Sequence, residues 1–188
     1  VCTSSNAVQI VNSLPLNQKI IFGPDRNLGA YVQKITGRDL LIWDGACMVH
    51  EIFSLEKIIK LKIDHPDAEL IAHPECEESV LNEASYVGST AGMLKYSQES
   101  NSDIFIVATE SGIIHQMHLQ SPQKTFIPAP PNNSCACNDC PYMKLNTLEK
   151  LYLCLKYELP EITLDKKLQE KAKLPIEKML ELSKKMGL

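Results

Sequence analysis

The sequence lacks the features that direct a protein to a membrane, to export or to nucleic acid. No apolar run approaches the roughly 18 residues of a membrane-spanning helix, and no basic stretch followed by an apolar core opens the chain as a signal peptide would. Lys and Arg total 19 against 23 Asp and Glu, and the formal charge of -4 gives no electrostatic reason to bind nucleic acid or anionic lipid. We therefore expect no nucleic-acid partner, no membrane partner and a cytoplasmic location.

The sequence also lacks the cysteine pattern of a secreted disulfide scaffold. Its 7 cysteines are an odd number and are unevenly spaced. A chain of 188 residues buries about 70% of its unfolded surface, so it needs no disulfides to be stable. We expect these cysteines to be thiols or metal ligands.

What the sequence has is an alternation of short apolar runs and helical patterns. Such alternation is typical of the α/β class, in which parallel strands are joined by helical crossovers. A Pro-rich stretch at 120–133 is predicted to be an extended connection. The predicted strand and helix pairs are 19–22 with 28–36, 40–43 with 55–61, 69–72 with 79–83, 86–87 with 93–98, and 104–108 with 113–119.

Two amphipathic patterns follow near the end of the chain. Residues 148–155 and 176–186 carry apolar residues at helical spacing among Lys and Glu, which predicts two helices that cover a core. Pro175 suits the first turn of the second helix. Cys154 lies in the first helix, and we expect its thiol to be buried.

Polar residues that could do chemistry follow each predicted strand. Ligands of open parallel sheets bind outside the carboxyl ends of the strands, where helix N-termini also offer free N–H groups to anions. This pattern indicates either a site for an anionic small molecule or ordinary solvated loops. The residues are Asp25, 45–47, 73–75, Ser89 with Thr90, and Thr109 with Glu110.

A cysteine cluster gives a second local signal. Cys135, Cys137 and Cys140 lie in a Pro- and Asn-rich loop, and Pro141 follows the last of them. Thiolates bind zinc and iron-sulfur clusters, and Cys followed by Pro occurs at iron-sulfur sites. Zinc would need a fourth ligand, and no second C-x-x-C pair appears. A redox-active or simply exposed thiol loop is the alternative.

Ordered motifs along nearly the whole chain then point to a family. Together they resemble the carboxyl-terminal portion of the quinolinate synthase A family of bacterial-type NAD biosynthesis. Their number and order make this resemblance far more specific than the cysteines alone. The motifs are Cys2-Thr-Ser-Ser-Asn-Ala7, Phe22-Gly-Pro-Asp-Arg-Asn-Leu-Gly29, Trp43-Asp-Gly-Ala-Cys-Met-Val-His-Glu51, His73-Pro-Glu75, Gly88-Ser-Thr90, Ala108-Thr-Glu110 and Cys140-Pro-Tyr-Met-Lys-Leu-Asn146.

The resemblance implies repeated αβα sandwich domains with parallel sheets, pseudo-threefold in the full protein, with the amino-terminal domain absent. It implies the remainder of a second domain at 1–47, a third domain at 48–132, and a cysteine loop with helices at 133–188 that pack on the missing first domain. The implied reaction condenses iminoaspartate with dihydroxyacetone phosphate to quinolinate, with functional coupling to an aspartate oxidase or dehydrogenase. The implied location is a bacterial-type cytoplasm or a plastid.

The resemblance also implies a [4Fe-4S] cluster held by three cysteines, with one open iron that acts as a Lewis acid. Cys47 and Cys140 match two of the family's ligands, and the remaining ligand has no match in this sequence. The roles of Cys135 and Cys137 stay open, because their spacing departs from a C-x-x-C-x-x-C pattern of some members.

Three residues are catalytic candidates, and two of them, His73 and Glu75, match a substrate-binding stretch of the family. Glu75 is the candidate general base or acid, and His73 is a candidate hydrogen-bond donor to substrate. His50 follows Cys47 by one helical turn, so we expect it near both cluster and substrate.

The remaining implied site residues are hydroxyls that bind substrate anions. Ser4 or Ser5 matches a serine that holds a substrate carboxylate, and the register between the two stays open. Ser89 and Thr90 match a hydroxyl pair at a helix start, which can donate to an anion.

Two hypotheses therefore compete. In the first, the chain is part of an iron-sulfur synthase and is incomplete alone, since one cluster ligand and part of the pocket are missing. In the second, it is an inactive fragment or a non-enzymatic αβ module whose cysteine loop binds zinc or forms a redox-sensitive contact. Metal content separates the two.

Overall fold

The computed structural model describes residues 1–132 and 138–187. Strands and helices alternate through most of this length, as predicted for an α/β protein. In chain order the elements are α1 (Ala7–Asn12), β1 (Ile20–Phe22), α2 (Arg26–Thr36), β2 (Leu40–Ile42), α3 (Met48–Glu51), α4 (Leu55–Asp64), β3 (Glu69–Ala72), α5 (Glu78–Leu81), β4 (Tyr86–Val87), α6 (Thr90–Glu99), β5 (Ile104–Ala108), α7 (Gly112–Gln120), β6 (Thr125–Pro128), α8 (Leu148–Tyr157) and α9 (Lys166–Lys185).

The first part of the chain forms a small parallel sheet covered by helices. Strands β1 and β2 pair in parallel, with Ile20 opposite Leu40. Helix α2 begins at its N-cap Asp25 and ends at Gly37, whose φ of 66° suits glycine at a helix C-terminus. This helix packs with α1 on the sheet, and the shared core contains Val11, Phe22, Leu28, Val32 and Leu40.

The second part is a four-stranded parallel sheet in the order β4-β3-β5-β6. Successive side chains of a strand point to opposite faces. Leu70 and Ile106 therefore pack with Ile58 of α4 on one face, whereas Ile71 and Phe105 pack with helices α6 and α7 on the other. Both faces are covered, which explains why β3 and β5 are almost continuously apolar. The parallel α/β class predicted from the sequence is confirmed.

The stretch at 120–133 is more than an extended connection, because it contains β6. Among the described residues, strand β6 pairs only with β5, and Val107 lies opposite Pro128 at its end. Proline is tolerated at the edge of a sheet, where no further strand needs its backbone N–H. Because prolines are rare in strands, the sequence pattern did not predict β6.

The two helices predicted near the end of the chain are present as α8 and α9, but the predicted position of Pro175 and the predicted burial of the Cys154 thiol were wrong. Helix α9 begins at its N-cap Asp165, so Pro175 lies inside the helix and not in its first turn. No residue of α8 or α9 is buried within the described chain, and the thiol of Cys154 is exposed. The amphipathic pattern indicates a face that packs on something, but it does not identify the partner. Helix α9 contacts α1, where the Asn6 amide donates to the Ser183 hydroxyl over 3.1 Å.

Two statements about organisation follow from these elements. The domain boundaries at 47/48 and 132/133 stay predictions. The two-stranded sheet does lie before residue 47, and the four-stranded sheet lies after it. Among the described residues no helix is both long enough and apolar enough to cross a membrane.

The buried sheet predicts a clear contrast between two leucines. Leu70 is 0% exposed and Leu148 is 83% exposed. We expect Leu70→Ala to lower the free energy of unfolding by about 2 to 5 kcal/mol, because the substitution leaves a cavity. Leu148→Ala should change it by less than about 0.5 kcal/mol. Urea titration of both variants measures the difference, and equal losses would contradict this account of the core.

Candidate metal and substrate site

The loops that follow the strands meet at one edge of the sheets, as the sequence pattern predicts. The amide of Arg26, after β1, donates to the Gly45 carbonyl, after β2, over 2.7 Å. Gly45 lies so close that a Cβ there would be 2.5 Å from the Pro24 carbonyl oxygen, so only glycine fits. The amide of His73, after β3, donates to the Ala108 carbonyl at the end of β5 over 3.0 Å.

Three predicted site residues converge at this edge. The ligand atoms of Cys47, His50 and Glu75 all lie within 4.8 Å of one another. Nδ1 of His50 is 3.1 Å from Oε2 of Glu75, and Nε2 of His50 is 3.0 Å from the Thr109 hydroxyl oxygen. A thiol, an imidazole and a carboxylate from separate loops therefore form one cluster, which could hold a metal ion or transfer protons.

The imidazole of His50 lies at the centre of this cluster. His50 is 7% exposed, and burial disfavours its charged form. The neighbouring Cys47 thiol and Glu75 carboxylate outweigh burial and raise the pKa of His50 to about 9. His50 is therefore a cation at neutral pH, held between two groups that become anions.

His50 in turn changes the acidity of its two partners. Its interaction with Cys47 lowers the pKa of that thiol, and burial opposes this shift only in part. The same imidazole holds the pKa of the Glu75 carboxyl below its ordinary value, again against burial. Cys47 is thereby biased toward the thiolate, which is the form that attacks electrophiles and binds metals.

His73 has the opposite character, although it lies against His50. The two rings stack at 4.6 Å between centroids, and burial followed by the charge of His50 lowers the pKa of His73 to about 4. Nδ1 of His73 accepts a hydrogen bond from the Glu75 amide over 3.4 Å. The neutral ring must then carry its proton on Nε2, which suits the predicted role of hydrogen-bond donor.

The second predicted thiol, Cys140, follows β6 in the chain and contacts the loop that follows β5. Its amide donates to Oε1 of Glu110 over 3.3 Å, and the amide of Ser111 donates to the Asn138 carbonyl over the same distance. Thr109, the residue before Glu110, contacts His50. Cys140 and the cluster around Cys47 thus contact adjacent residues of one loop.

Sequence reasoning placed Asp25, Thr109 and Glu110 after strands but gave them no role. Each of them contacts a predicted site residue or its backbone. Their positions directly after apolar strands were the available signal. The contacts themselves depend on which strands are neighbours, and spacing along the chain does not contain that information.

The predicted anion-binding hydroxyls lie in two other places. Ser5 shares a 2.7 Å hydrogen bond with Thr3 in the turn before α1. Ser89 is the N-cap of α6, and its hydroxyl oxygen accepts from the Gly92 amide over 3.2 Å. Ser4 is half-buried and Thr90 is exposed. Within the described chain no hydrogen bond joins these serines to the Cys47 cluster, so their substrate roles stay predictions.

The remaining cysteines divide by environment. The thiol of Cys76 is fully buried and donates to the Ala108 carbonyl over 3.3 Å, and burial raises its pKa. Cys2 packs against the core of the first sheet, and burial raises its pKa as well. Both are therefore held as protonated thiols. Cys135 and Cys137 lie outside the described residues.

A cavity of about 320 Å³ opens in front of the cluster. Cys47 and Glu75 both line it, and the Trp43 ring forms another part of its wall. The combination of thiolate, imidazole and carboxylate donors suits a borderline or soft metal. Cys140 is half-buried rather than sealed in the core, so its thiol is also accessible.

The fold and the site define a parallel α/β protein with a thiol, imidazole and carboxylate site at the carboxyl ends of its strands. Residues 1–181 match the family described as Quinolinate synthetase A protein, and the chain belongs to that family. A quinolinate synthase of Microcystis aeruginosa is 63% identical over 183 residues, which are 97% of this chain and 57% of the relative.

Other relatives give the same result. A quinolinate synthase of Gloeothece citriformis is 64% identical over 184 residues, which are 98% of this chain and 57% of that protein. A third quinolinate synthase, from Nostoc punctiforme, is 61% identical over 183 residues, which are 97% of this chain and 56% of that protein. The chain therefore spans a little over half the length of the relatives it matches.

The cluster predicts different reactivities for two thiols. Iodoacetamide at pH 7.5 should alkylate Cys47 much faster than Cys76, because the Cys47 pKa is lowered and the Cys76 thiol is buried. His50→Gln should slow the reaction at Cys47 by roughly tenfold, since it removes the interaction that favours the thiolate. Peptide mass spectrometry measures both rates. An unchanged rate at Cys47 in the variant would show that His50 does not control this thiol.

Proposed function

We propose that the chain is a portion of a quinolinate synthase, which condenses iminoaspartate with dihydroxyacetone phosphate and releases quinolinate, phosphate and water in NAD biosynthesis. Membership of the family and 63% identity to a relative named quinolinate synthase support the proposal. The observation that carries it is the convergence of Cys47, His50 and Glu75 within 4.8 Å in front of a cavity.

The proposed cofactor is a [4Fe-4S] cluster, and the residues present fit it. Cys47 has a thiol biased toward the thiolate, and Cys140 is accessible on the neighbouring loop. These two residues would hold the cluster together with a ligand from the part of the longer protein that this chain does not include. When bound, the cluster supplies an open iron that polarises an oxygen of the substrate.

Glu75 is the proposed proton-transfer residue. Its pKa is held low by His50, so it rests as a carboxylate and can accept a proton from the substrate. The imidazolium of His50 stays beside it and balances its charge until that proton arrives. Once protonated, Glu75 can return the proton to a leaving hydroxyl as water departs.

His73 and the hydroxyl groups are proposed to bind and orient the substrates. The neutral ring of His73 presents its Nε2–H as a donor to a carboxylate or carbonyl oxygen. Ser89 and Thr90 begin α6, where free backbone N–H groups favour an anion. Ser4 or Ser5 is proposed to hold a substrate carboxylate.

The substrate chemistry implies a supplier. An imine of aspartate forms by oxidation of the amine and hydrolyses readily in water, so a functional coupling to an aspartate oxidase or dehydrogenase is proposed. The proposed location is a bacterial-type cytoplasm, with a plastid as the alternative.

One observation favours a second candidate. The donors of Cys47, His50 and Glu75 also suit a single zinc ion. The chain would then be an inactive fragment or a non-enzymatic αβ module. Metal content separates this candidate from the first, because it predicts stoichiometric zinc without iron or sulfide.

The metal experiment uses a protein of the relatives' full length that carries these residues, purified without oxygen. We expect a brown protein with iron and sulfide, and we expect Cys140→Ser to lose most of that iron because a ligand is removed. Cys154→Ser is the matched control, since that thiol is exposed on α8, and it should keep the iron. A colourless protein with one zinc per chain would refute the synthase proposal.

The proton-transfer role predicts a separation between activity and cofactor. Glu75→Gln in the same full-length protein should lower kcat by roughly 100-fold to 10,000-fold, because the amide cannot accept the proton. The iron content and visible absorption should stay as in the parent protein. Glu78→Gln is the control, since Glu78 forms an exposed ion pair with Lys34. Substantial activity in Glu75→Gln would remove Glu75 from this role.

A further inference from the structure

The carboxylate of Asp25 binds two backbone amides through two different oxygens. Oδ1 accepts from the Leu28 amide over 2.7 Å, which caps α2, and Oδ2 accepts from the Cys47 amide over 2.8 Å. Asp25 is 5% exposed, so both hydrogen bonds are shielded from water. A residue that caps one helix therefore also fixes the backbone of a candidate cluster ligand.

Glu110 makes the same arrangement at the other candidate ligand. Oε2 accepts from the Gly112 amide over 2.7 Å at the start of α7, and Oε1 accepts from the Cys140 amide over 3.3 Å. The Lys144 ammonium lies 3.9 Å from Oε1. In each case the carboxylate lies just after a strand. One of its oxygens accepts a hydrogen bond from an amide in the first turn of the next helix, and the other accepts from the amide of a cysteine far away in sequence.

We propose that Asp25 and Glu110 are positioning residues that hold Cys47 and Cys140 in place by binding their backbone amides. This inference rests on the proposed function, since it is through that function that the two thiols serve as ligands. Neither carboxylate has a place among the predicted ligands or catalytic residues.

The geometry at Cys47 gives a physical reason for a carboxylate that binds its backbone amide. Cys47 is the N-cap of α3, yet its own side chain makes no capping hydrogen bond. Asp25 fixes the Cys47 backbone through its amide, so Sγ takes no part in holding this turn. Hydrogen bonds from N–H groups to a carboxylate are stronger than those between neutral groups, and fixing the amide restricts where Cβ and Sγ can lie.

Neighbouring contacts strengthen the same connection. The Arg26 guanidinium binds the carboxylates of Asp44 and Glu51, on either side of Cys47. The Asn27 amide donates to the Glu75 carbonyl over 3.1 Å. The first turn of α2 thus contacts both the loop of the candidate ligand and the loop of the candidate base.

The test uses amide substitutions that keep the size of each side chain. Asp25→Asn and Glu110→Gln leave one accepting oxygen where the parent has two, so one of the two amides must lose its partner. Asp165→Asn is a matched control, because Asp165 binds the Lys167 and Leu168 amides through Oδ1 alone and asparagine keeps that oxygen. Asp25→Ser can still cap α2 but is too short to reach Cys47.

The first measurement is amide exchange in the metal-free chain. We expect the Cys47 amide to exchange roughly tenfold faster in Asp25→Ser while the Leu28 amide is unchanged, and the Cys140 amide to exchange roughly tenfold faster in Glu110→Gln. The control should change neither cysteine amide. Full protection of both cysteine amides in these variants would overturn the proposal.

The second measurement follows the thiols themselves. After anaerobic addition of iron and sulfide to a protein of the relatives' full length that carries these residues, we expect Asp25→Ser and Glu110→Gln to release iron to a chelator roughly tenfold faster than Asp165→Asn. Faster amide exchange with unchanged iron release would mean that the bonds are only structural, and it would overturn the proposal.

The two proposals can fail separately. If the full-length protein takes up no iron, the proposed function loses its support. The positioning role is then decided in the metal-free chain, where Asp25→Ser should slow alkylation of Cys47 by roughly tenfold because the thiol moves away from His50. An unchanged alkylation rate would overturn the positioning role.

Discussion

The buried imidazole of His50 is the interaction on which the site depends. It is a cation in a place where burial alone would make it neutral, because the Cys47 thiol and the Glu75 carboxylate lie beside it. The same interactions favour a thiolate at Cys47 and a carboxylate at Glu75. Without His50, two groups that become anions would face each other within 4.8 Å, and burial would favour their protonated forms.

The parallel sheets explain how these groups come together. In such sheets every strand ends at the same edge, so residues far apart in sequence become neighbours. His73 and Thr109 follow β3 and β5, which pair along their whole length. Burial and the charge of His50 keep His73 neutral, so two histidines of one site can serve as cation and as neutral donor.

Much of the fold was predictable, because apolar runs and helical periodicity are local features. Strand β3 was predicted with its observed bounds, whereas β6 was hidden by prolines that only an edge strand tolerates. The site residues Cys47 and Glu75 came from a family resemblance, and their contact with His50 required the tertiary structure. The exposure of Cys154 could not be foreseen, since an amphipathic helix does not reveal what covers it.

The central claim is that Cys47 and Cys140 bind one iron-sulfur cluster beside Glu75. Anomalous scattering at the iron edge, from crystals of the full-length protein grown without oxygen, tests it most directly. The account predicts one group of iron atoms within bonding distance of both sulfur atoms. A single zinc ion bound by Cys47, His50 and Glu75, or iron bonded to only one of the two cysteines, would contradict it.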